Sequence, residues 1–213
     1  MKRNNISSDT IRISNNKLFW IFKRIFDIVV STLLFPIMFF ILFILLILNP
    51  KFNRGDIFFI QKRMGKNCKP FKIIKFRTMI SENTNKRSFA DPLEIDRVTS
   101  LGKLLRKTNL DELPQIINVL MGEMSLIGPR PDYYDHALHF IDYIDGYRER
   151  HLIRPGVTGL SQIRLGYVEG VEKTKRKAFI DVYYINHIGF LIDAKIFFGT
   201  IYLVLKNFFR QKL

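Results

Sequence analysis

Asp111 and Glu112 stand side by side in TNLDELPQ, residues 108–115, in a chain with 34 Lys and Arg against 19 Asp and Glu. Pro114 follows shortly after them. Proline suits the first turn of a helix, because the donor it lacks would be unsatisfied there anyway. The pair is therefore expected at a helix N-terminus, where free N–H groups and the positive dipole end gather. Such a place keeps carboxylates ionised and accepts an anion. It also offers two oxygen ligands to Mg²⁺, which takes a few carboxylates together with substrate phosphate. The plain structural alternative is that Asp111 only caps a helix, a very common use of Asp.

Cations around the pair favour chemistry. Arg106 lies one helix turn and a loop upstream. Arg130 sits in GPRP, where Gly128, Pro129 and Pro131 hold the backbone stiff. Lys75 and Arg77 alternate along an expected strand and so share a face. Arg154 opens a second rigid turn, RPG. Cations presented from rigid turns suit phosphate oxygens, with Arg giving a bidentate fork. Each of them alone reads as a solvated surface charge; together, beside two carboxylates, they read as a phosphate site.

The totals agree. The net charge of +15 asks for an anionic partner: nucleic acid, acidic lipid or a phosphorylated small molecule. Cys68 is the single cysteine, which excludes an intramolecular disulfide and any Cys-based metal cluster and fits a reducing compartment. The four histidines show no ligand spacing. At 213 residues the chain is one domain plus an anchor.

The anchor is the uncharged run of 21 residues from Ile28 to Leu48, and about 20 apolar residues suffice to cross a bilayer. One spanning helix is the simplest reading of it. Two features oppose that reading. Pro36 lies inside the run, and proline kinks a helix. Both flanks are also basic, with six Lys and Arg in residues 1–27 and nine in residues 51–77, whereas a spanning helix has asymmetric flanks. A re-entrant helix that turns at Pro36 keeps both ends on the cytoplasmic side. Both readings stand at this level. Asp27, four residues after Lys23, is expected to pair with it on a helix.

The remaining organisation follows from periodicity. Residues 1–16 are a polar tail expected to be disordered, 17–50 the membrane helix, and 51–213 a cytoplasmic domain. IFFIQKRMG and PFKIIKFRTM read as two strands of a hairpin, and residues 81–97 as a loop. TSLGKLLRKTN has a Thr/Ser cap and helical leucines, and Leu113, Ile116, Ile117 and Leu120 keep helical spacing up to Gly122. GPRP and RPGVTGL read as loop and turn, 133–150 as helix, and Val171 onward as amphipathic helix. The segment IFFGTIYLVL, 196–205, is too short to span and belongs in the core or the interface. The fold class is thus α+β: a mostly helical monotopic membrane domain with a Pro-broken re-entrant helix and a small β-hairpin.

Several blocks resemble one known family. KRIFDIVVS (23–31), FIQKRMG (59–65), FKIIKFRTM (71–79), LGKLLRKTNLDELPQIINVLMGEMSLIGPRP (101–131), RPGVTGLSQ (154–162) and DVYYINHIGFLIDAKI (181–196) are similar, in order and spacing, to the bacterial sugar transferases, small monotopic phosphoglycosyl transferases. The resemblance implies transfer of a sugar-1-phosphate from a UDP-sugar to undecaprenyl phosphate with release of UMP. It implies a site at the cytoplasmic face of the bacterial inner membrane, in contact with membrane lipid. Asp111 would be the nucleophile that carries the phosphosugar, and Glu112 would help hold Mg²⁺. Lys75, Arg106, Arg130 and Arg154 match basic motif positions, and Arg77 and Gln162 lie in the same blocks, as expected phosphate or nucleotide contacts. Two departures stand out. Many members carry Trp-Ala where this chain has Leu160-Ser161, and IRLGYVEG beyond Gln162 differs from the Asn-Gly-Arg type of some N-acetylated-sugar enzymes. That region is expected to shape sugar choice.

Other classes are weaker. Basic–aromatic alternation is confined to KIIKFRTM, with no zinc pattern or helix-turn-helix, so no nucleic-acid partner is expected. No Asp-x-Asp triplet occurs, which opposes an ordinary metal-dependent glycosyltransferase. A non-catalytic membrane-tethered scaffold that binds anionic polymer is the alternative. A homodimer is left open.

Overall fold

The computed structural model describes residues 11–80, 95–166 and 170–210. The start of the polar tail, the loop after Ile80 and part of the IRLGYVEG segment lie outside them. Helix α1, Lys17–Phe52, holds the whole apolar run. Asn16 caps it, its side chain accepting from the Phe19 amide at 3.1 Å. Pro36 and Pro50 lie inside it. Each removes one backbone donor, and helical backbone continues past both.

One stripe of α1 is buried: Phe19, Lys23, Asp27, Ser31, Met38, Leu45 and Asn49. Steps of four and seven keep these on a single face. The other faces leave Leu33, Phe40, Phe43 and Ile47 exposed. The first half of the stripe enters a core with Val119, Met124, Leu126, Ile185 and Ile196. The second half packs in another core with Phe76, Leu101, Leu105 and Ile116. Both ends of the helix therefore rest on the same domain.

Polar groups fix the helix in register. The expected Lys23–Asp27 pair gives way to nearer partners. Lys23 Nζ meets Asp193 at 2.6 Å, and the Tyr184 hydroxyl donates to the same carboxylate at 2.6 Å. Asp27 instead accepts from the Leu126 amide at 2.9 Å and from Ser125 Oγ at 3.1 Å. A buried strand edge supplies donors that must be satisfied, and the carboxylate satisfies one. Residues 11–16, expected within the disordered tail, are also held. Ile11 and Ile13 pack on the first core, and the Trp20 indole donates to the Ser14 carbonyl at 2.8 Å. Two alternating isoleucines outweigh the polar composition around them.

The expected hairpin is present. Strands β1, Phe58–Met64, and β2, Pro70–Phe76, pair antiparallel, with Phe59 opposite Lys75. Helices α2, Ser100–Lys107, and α3, Gln115–Met121, follow. A second, parallel pair joins β3, Ser125–Ile127, to β4, Gly156–Thr158. Sequence periodicity misses it because each strand has three residues and β4 lies within what reads as a turn. Glycines let these strands approach. A Cβ on Gly156 would stand 2.1 Å from the Gly128 nitrogen, and one on Gly159 would stand 2.3 Å from the Gly128 oxygen.

Helix α4, Tyr134–Ile141, is shorter than the 133–150 expected from pattern. Turns follow it, with Gly146 at a φ of 78°. Then come α5, Leu160–Leu165, α6, Val171–Asn186, and α7, Phe190–Arg210. The IFFGTIYLVL segment is inside α7. Phe190 and Phe197 stack edge-on against Phe19 and Phe26 of α1, while Phe198, Ile201 and Tyr202 stay exposed. Gly156→Ala should lower stability by about 1–3 kcal/mol, the usual cost of overpacking, and a thermal melt in detergent measures it. A melt like that of the native chain would contradict the close crossing.

Candidate active site

The Asp-Glu pair forms at a change of helix type. Thr99 caps α2 by accepting from the Gly102 amide at 2.9 Å. The chain then reverses through Asn109, whose φ is 56°. A short 3-10 turn, Leu110–Glu112, leads directly into α3, with Pro114 at its N-cap position. Asp111 and Glu112 thus precede the N-terminus of α3.

The two carboxylates have different surroundings. Glu112 is pinned. Lys75 Nζ donates to Oε1 at 2.7 Å, Arg130 Nη1 donates to Oε2 at 3.0 Å, and Arg130 Nη2 also donates to Oε1. Burial alone would raise its pKa, but Arg130 and Lys75 outweigh burial and hold it far below the usual carboxylate range. Asp111 accepts no hydrogen bond and joins no ion pair among the described residues. Burial, and then the charge of Glu112, push its pKa up, against the pull of Lys75, Arg106 and Arg130. A desolvated carboxylate without a fixed partner is a stronger base and nucleophile than a pinned one.

Buried groups hold the two cations in place. Asn118 on α3 reaches β2, accepting from the Ile74 amide at 3.1 Å and donating to the Lys72 carbonyl at 2.7 Å. This fixes the strand immediately before Lys75. The Arg130 carbonyl accepts from Arg150 Nη2 at 2.7 Å. Arg150, itself 1% exposed, pairs with Asp132 at 2.5 Å and Asp181 at 2.8 Å. Tyr147 donates to Asp132 at 2.7 Å, and Lys177 pairs with it as well. Burial works against the Asp132 charge, but Lys177 and Arg150 drive its pKa far below the usual range. Sequence reasoning missed this network. The available signal was charge in the wrong place: Asp181 interrupts the apolar stretch around FIDVYY.

The other expected residues divide. Arg106 donates through Nε to Thr78 Oγ1 at 2.8 Å, and its charge acts on Asp111. Gln162 Nε2 shares the Val157 carbonyl with Arg130 Nη1, both at 3.4 Å. Its Oε1 is buried without a partner. Arg77 does not join the site. β2 ends at Phe76, so strand alternation no longer governs residue 77. Its guanidinium is spent on the carbonyls of Asn53, Asp56 and Met79, tying the end of α1 to the end of β2. Arg154 is also elsewhere. It lies at the opposite end of α3, where its Nη2 would be 3.9 Å from a Cβ on Gly122.

Among the described residues, no three His, Cys, Asp or Glu side chains group as a metal cage. A cation that arrives with a diphosphate needs less: one or two carboxylates, with phosphate and water completing the octahedron. Asp111 offers open oxygens for that, whereas Glu112 already has cations on both of its own. The donor set fits Mg²⁺ in this substrate-borne form only.

Comparison with known proteins shows the family. Residues 18–207 match the family model described as bacterial sugar transferase. A UDP-glucose:undecaprenyl-phosphate glucose-1-phosphate transferase of Klebsiella pneumoniae is 40% identical over 190 residues, 88% of this chain and 41% of that protein. The exopolysaccharide production protein PSS of Rhizobium leguminosarum bv. phaseoli is 37% identical over 85% of this chain and 94% of its own length. A UDP-N-acetylgalactosamine-undecaprenyl-phosphate N-acetylgalactosaminephosphotransferase of Aeromonas hydrophila is 37% identical over 87% of this chain and 44% of its own. The chain thus spans less than half of two of these relatives and nearly all of the third. It belongs to the bacterial sugar transferase family.

Glu112→Gln would leave Lys75 and Arg130 without their counter-charge. Losing one partner of a buried pair costs about 3–5 kcal/mol. The folded pKa of Glu112 is depressed below its ordinary 4.5, so its stabilisation is complete above that pH and fades as pH falls. Melts from neutral to acidic pH should show a gap between native and Glu112→Gln proteins that narrows below pH 4.5. A gap independent of pH would contradict the ion pairs.

Proposed function

We propose that this chain transfers a sugar-1-phosphate from a UDP-sugar to undecaprenyl phosphate, and that the phosphosugar passes through Asp111. One observation carries the proposal: an open, desolvated carboxylate beside a pinned one, within a cationic site. Each feature answers a need of the reaction. A carboxylate that attacks a diphosphate meets repulsion, so cations must offset the charge. Arg130 and Lys75 stay placed because Glu112 holds them, and Arg106 adds charge from α2. Arg130 and Lys75 would bind the diphosphate oxygens from one side.

In the first step an Asp111 oxygen bonds to the phosphorus that carries the sugar, and that phosphorus loses its bond to the bridging oxygen. The bridging oxygen and its electron pair leave with UMP. In the second step an oxygen of undecaprenyl phosphate bonds to the same phosphorus, and the Asp111 carboxylate leaves. The product is a lipid diphosphate sugar, and no net proton is needed. Two steps at one site let two anionic substrates react in turn rather than together. Held by Asp111, with Glu112 kept for Lys75 and Arg130 instead of the metal, Mg²⁺ would neutralise diphosphate charge.

The anchor suits a lipid acceptor. The exposed faces of α1 are apolar along its length, yet both ends rest on the same polar domain. That arrangement supports a helix dipping into one leaflet from the cytoplasmic face of the inner membrane, with the site held at headgroup depth. The names of the Klebsiella and Aeromonas relatives support the same donor and acceptor class.

The test is the released nucleotide. Purified protein with Mg²⁺, a panel of UDP-sugars and undecaprenyl phosphate should release UMP, and Asp111→Asn should reduce release by at least about 10³-fold, as for loss of a nucleophile. Release of UDP would mean transfer of the sugar without its phosphate. Substantial activity in Asp111→Asn would remove Asp111 as the nucleophile.

A further inference from the structure

A second cationic site lies at the far end of α3 from Asp111. A cavity of about 370 Å³ opens there, at the foot of α1, and Trp20, Lys23, Arg24, Asp27, Lys66 and Arg154 line it. Most of its charge is positive, and the acidic groups nearby already have partners, Glu123 accepting from Asn118 at 2.7 Å. Asp27 is satisfied by Ser125 and Leu126, and Asp193 is taken by Lys23. Arg24 caps α3, donating to the Val119 carbonyl at 2.6 Å and the Leu120 carbonyl at 2.9 Å. Arg154 and Lys66 have no partner among the described residues, and both are exposed.

The geometry brings like charges together. The point a Cβ would occupy on Gly122 is 3.7 Å from Arg24 Nη2 and 3.9 Å from Arg154 Nη2. Two guanidinium groups face one spot with no carboxylate bridging them. Such a pair repels unless an anion lies between, and a phosphate fits because a guanidinium offers it two parallel donors. The cavity opens beside the N-terminal end of the membrane helix, whose other faces are apolar. Leu18, Ile21 and Phe22 of α1 are exposed, and so are Phe190 and Leu191 of α7. Trp20 is fixed by its bond to Ser14, and a tryptophan with one apolar face and one polar edge suits the headgroup level.

We propose that this cavity, at the end of the apolar helix α1, seats the phosphate of an anionic phospholipid. Arg154 and Lys66 are its free cations, and Arg24 is the fixed one. The site is separate from the reaction centre. It would tie the N-terminal end of α1 to the bilayer surface, as the apolar faces tie its flank, and make membrane seating sensitive to lipid charge. It stands whether or not Asp111 carries a phosphosugar.

Trp20 is the single tryptophan of the chain, so its emission reports on this cavity. The full chain in neutral detergent is titrated with brominated phosphatidylglycerol, with brominated phosphatidylcholine and with inorganic phosphate. The expected result is saturable quenching by phosphatidylglycerol. Its midpoint should rise about tenfold in the Arg154→Gln, Lys66→Gln double variant, a loss of ~1.4 kcal/mol, and should not change in Asp111→Asn. Both variant side chains are exposed, so the fold survives their replacement. Equal quenching by phosphatidylcholine, or an unmoved midpoint in the double variant, would overturn the proposal. A response to inorganic phosphate alone, without quenching by phosphatidylglycerol, would overturn the lipid assignment and make the ligand a soluble phosphate.

Discussion

Two adjacent carboxylates have their pKa values shifted in opposite directions here because one is paired with cations and the other is not. The chain separates them by geometry. Glu112 receives Lys75 and Arg130 directly, whereas Asp111 keeps its oxygens open while burial destabilises its charge. The cations stay near Asp111 because Glu112 retains them, so a desolvated, unpaired carboxylate and two fixed cations coexist without neutralising each other. Everything that positions Lys75, Glu112 and Arg130 serves this separation: the 3-10 turn before α3, the Asn118 clasp on β2, and the buried hold of Arg150 on the Arg130 carbonyl.

Arg150 shows what such rigidity requires. A fully buried guanidinium is costly unless every donor is used. Here Asp132, Asp181 and a main-chain carbonyl use them. The network holds the proline-flanked loop from behind, and the close crossing of Gly128 with Gly156 and Gly159 holds it from the side. Rigid placement of a charged group before the substrate arrives is where electrostatic catalysis gains most. The long helix performs the same service on a larger scale. Its single buried stripe, pinned by Asp27 and Lys23, fixes the apolar faces relative to the site.

Much of this was legible in the sequence for simple reasons. The hairpin, α2 and α3 have patterns long enough to show period and caps, and Gly122 ends α3 in the left-handed conformation its position suggests. The Asp-Glu pair, Lys75, Arg106 and Arg130 stood out by residue type and by the stiff turns beside them. What was illegible depends on distance in the chain. Arg77 shared strand alternation with Lys75, and Arg154 opened a rigid turn like that of Arg130, yet one faces the end of α1 and the other the far end of α3. No local pattern states which end of a helix a distant turn will meet. The β3–β4 pair, the Arg150 network and the partners of Lys23 and Asp27 were hidden for the same reason, since each joins segments far apart in sequence.

The central claim is that Asp111 itself carries the phosphosugar. Its most direct test is the intact mass of purified protein exposed to individual UDP-sugars with Mg²⁺ and no lipid acceptor, quenched within the first turnover. The account predicts a mass gain of one sugar phosphate, mapped by peptide fragmentation to Asp111 and discharged when undecaprenyl phosphate is added. A turnover-competent protein that never gains this mass, or an adduct mapped to another residue, would contradict it.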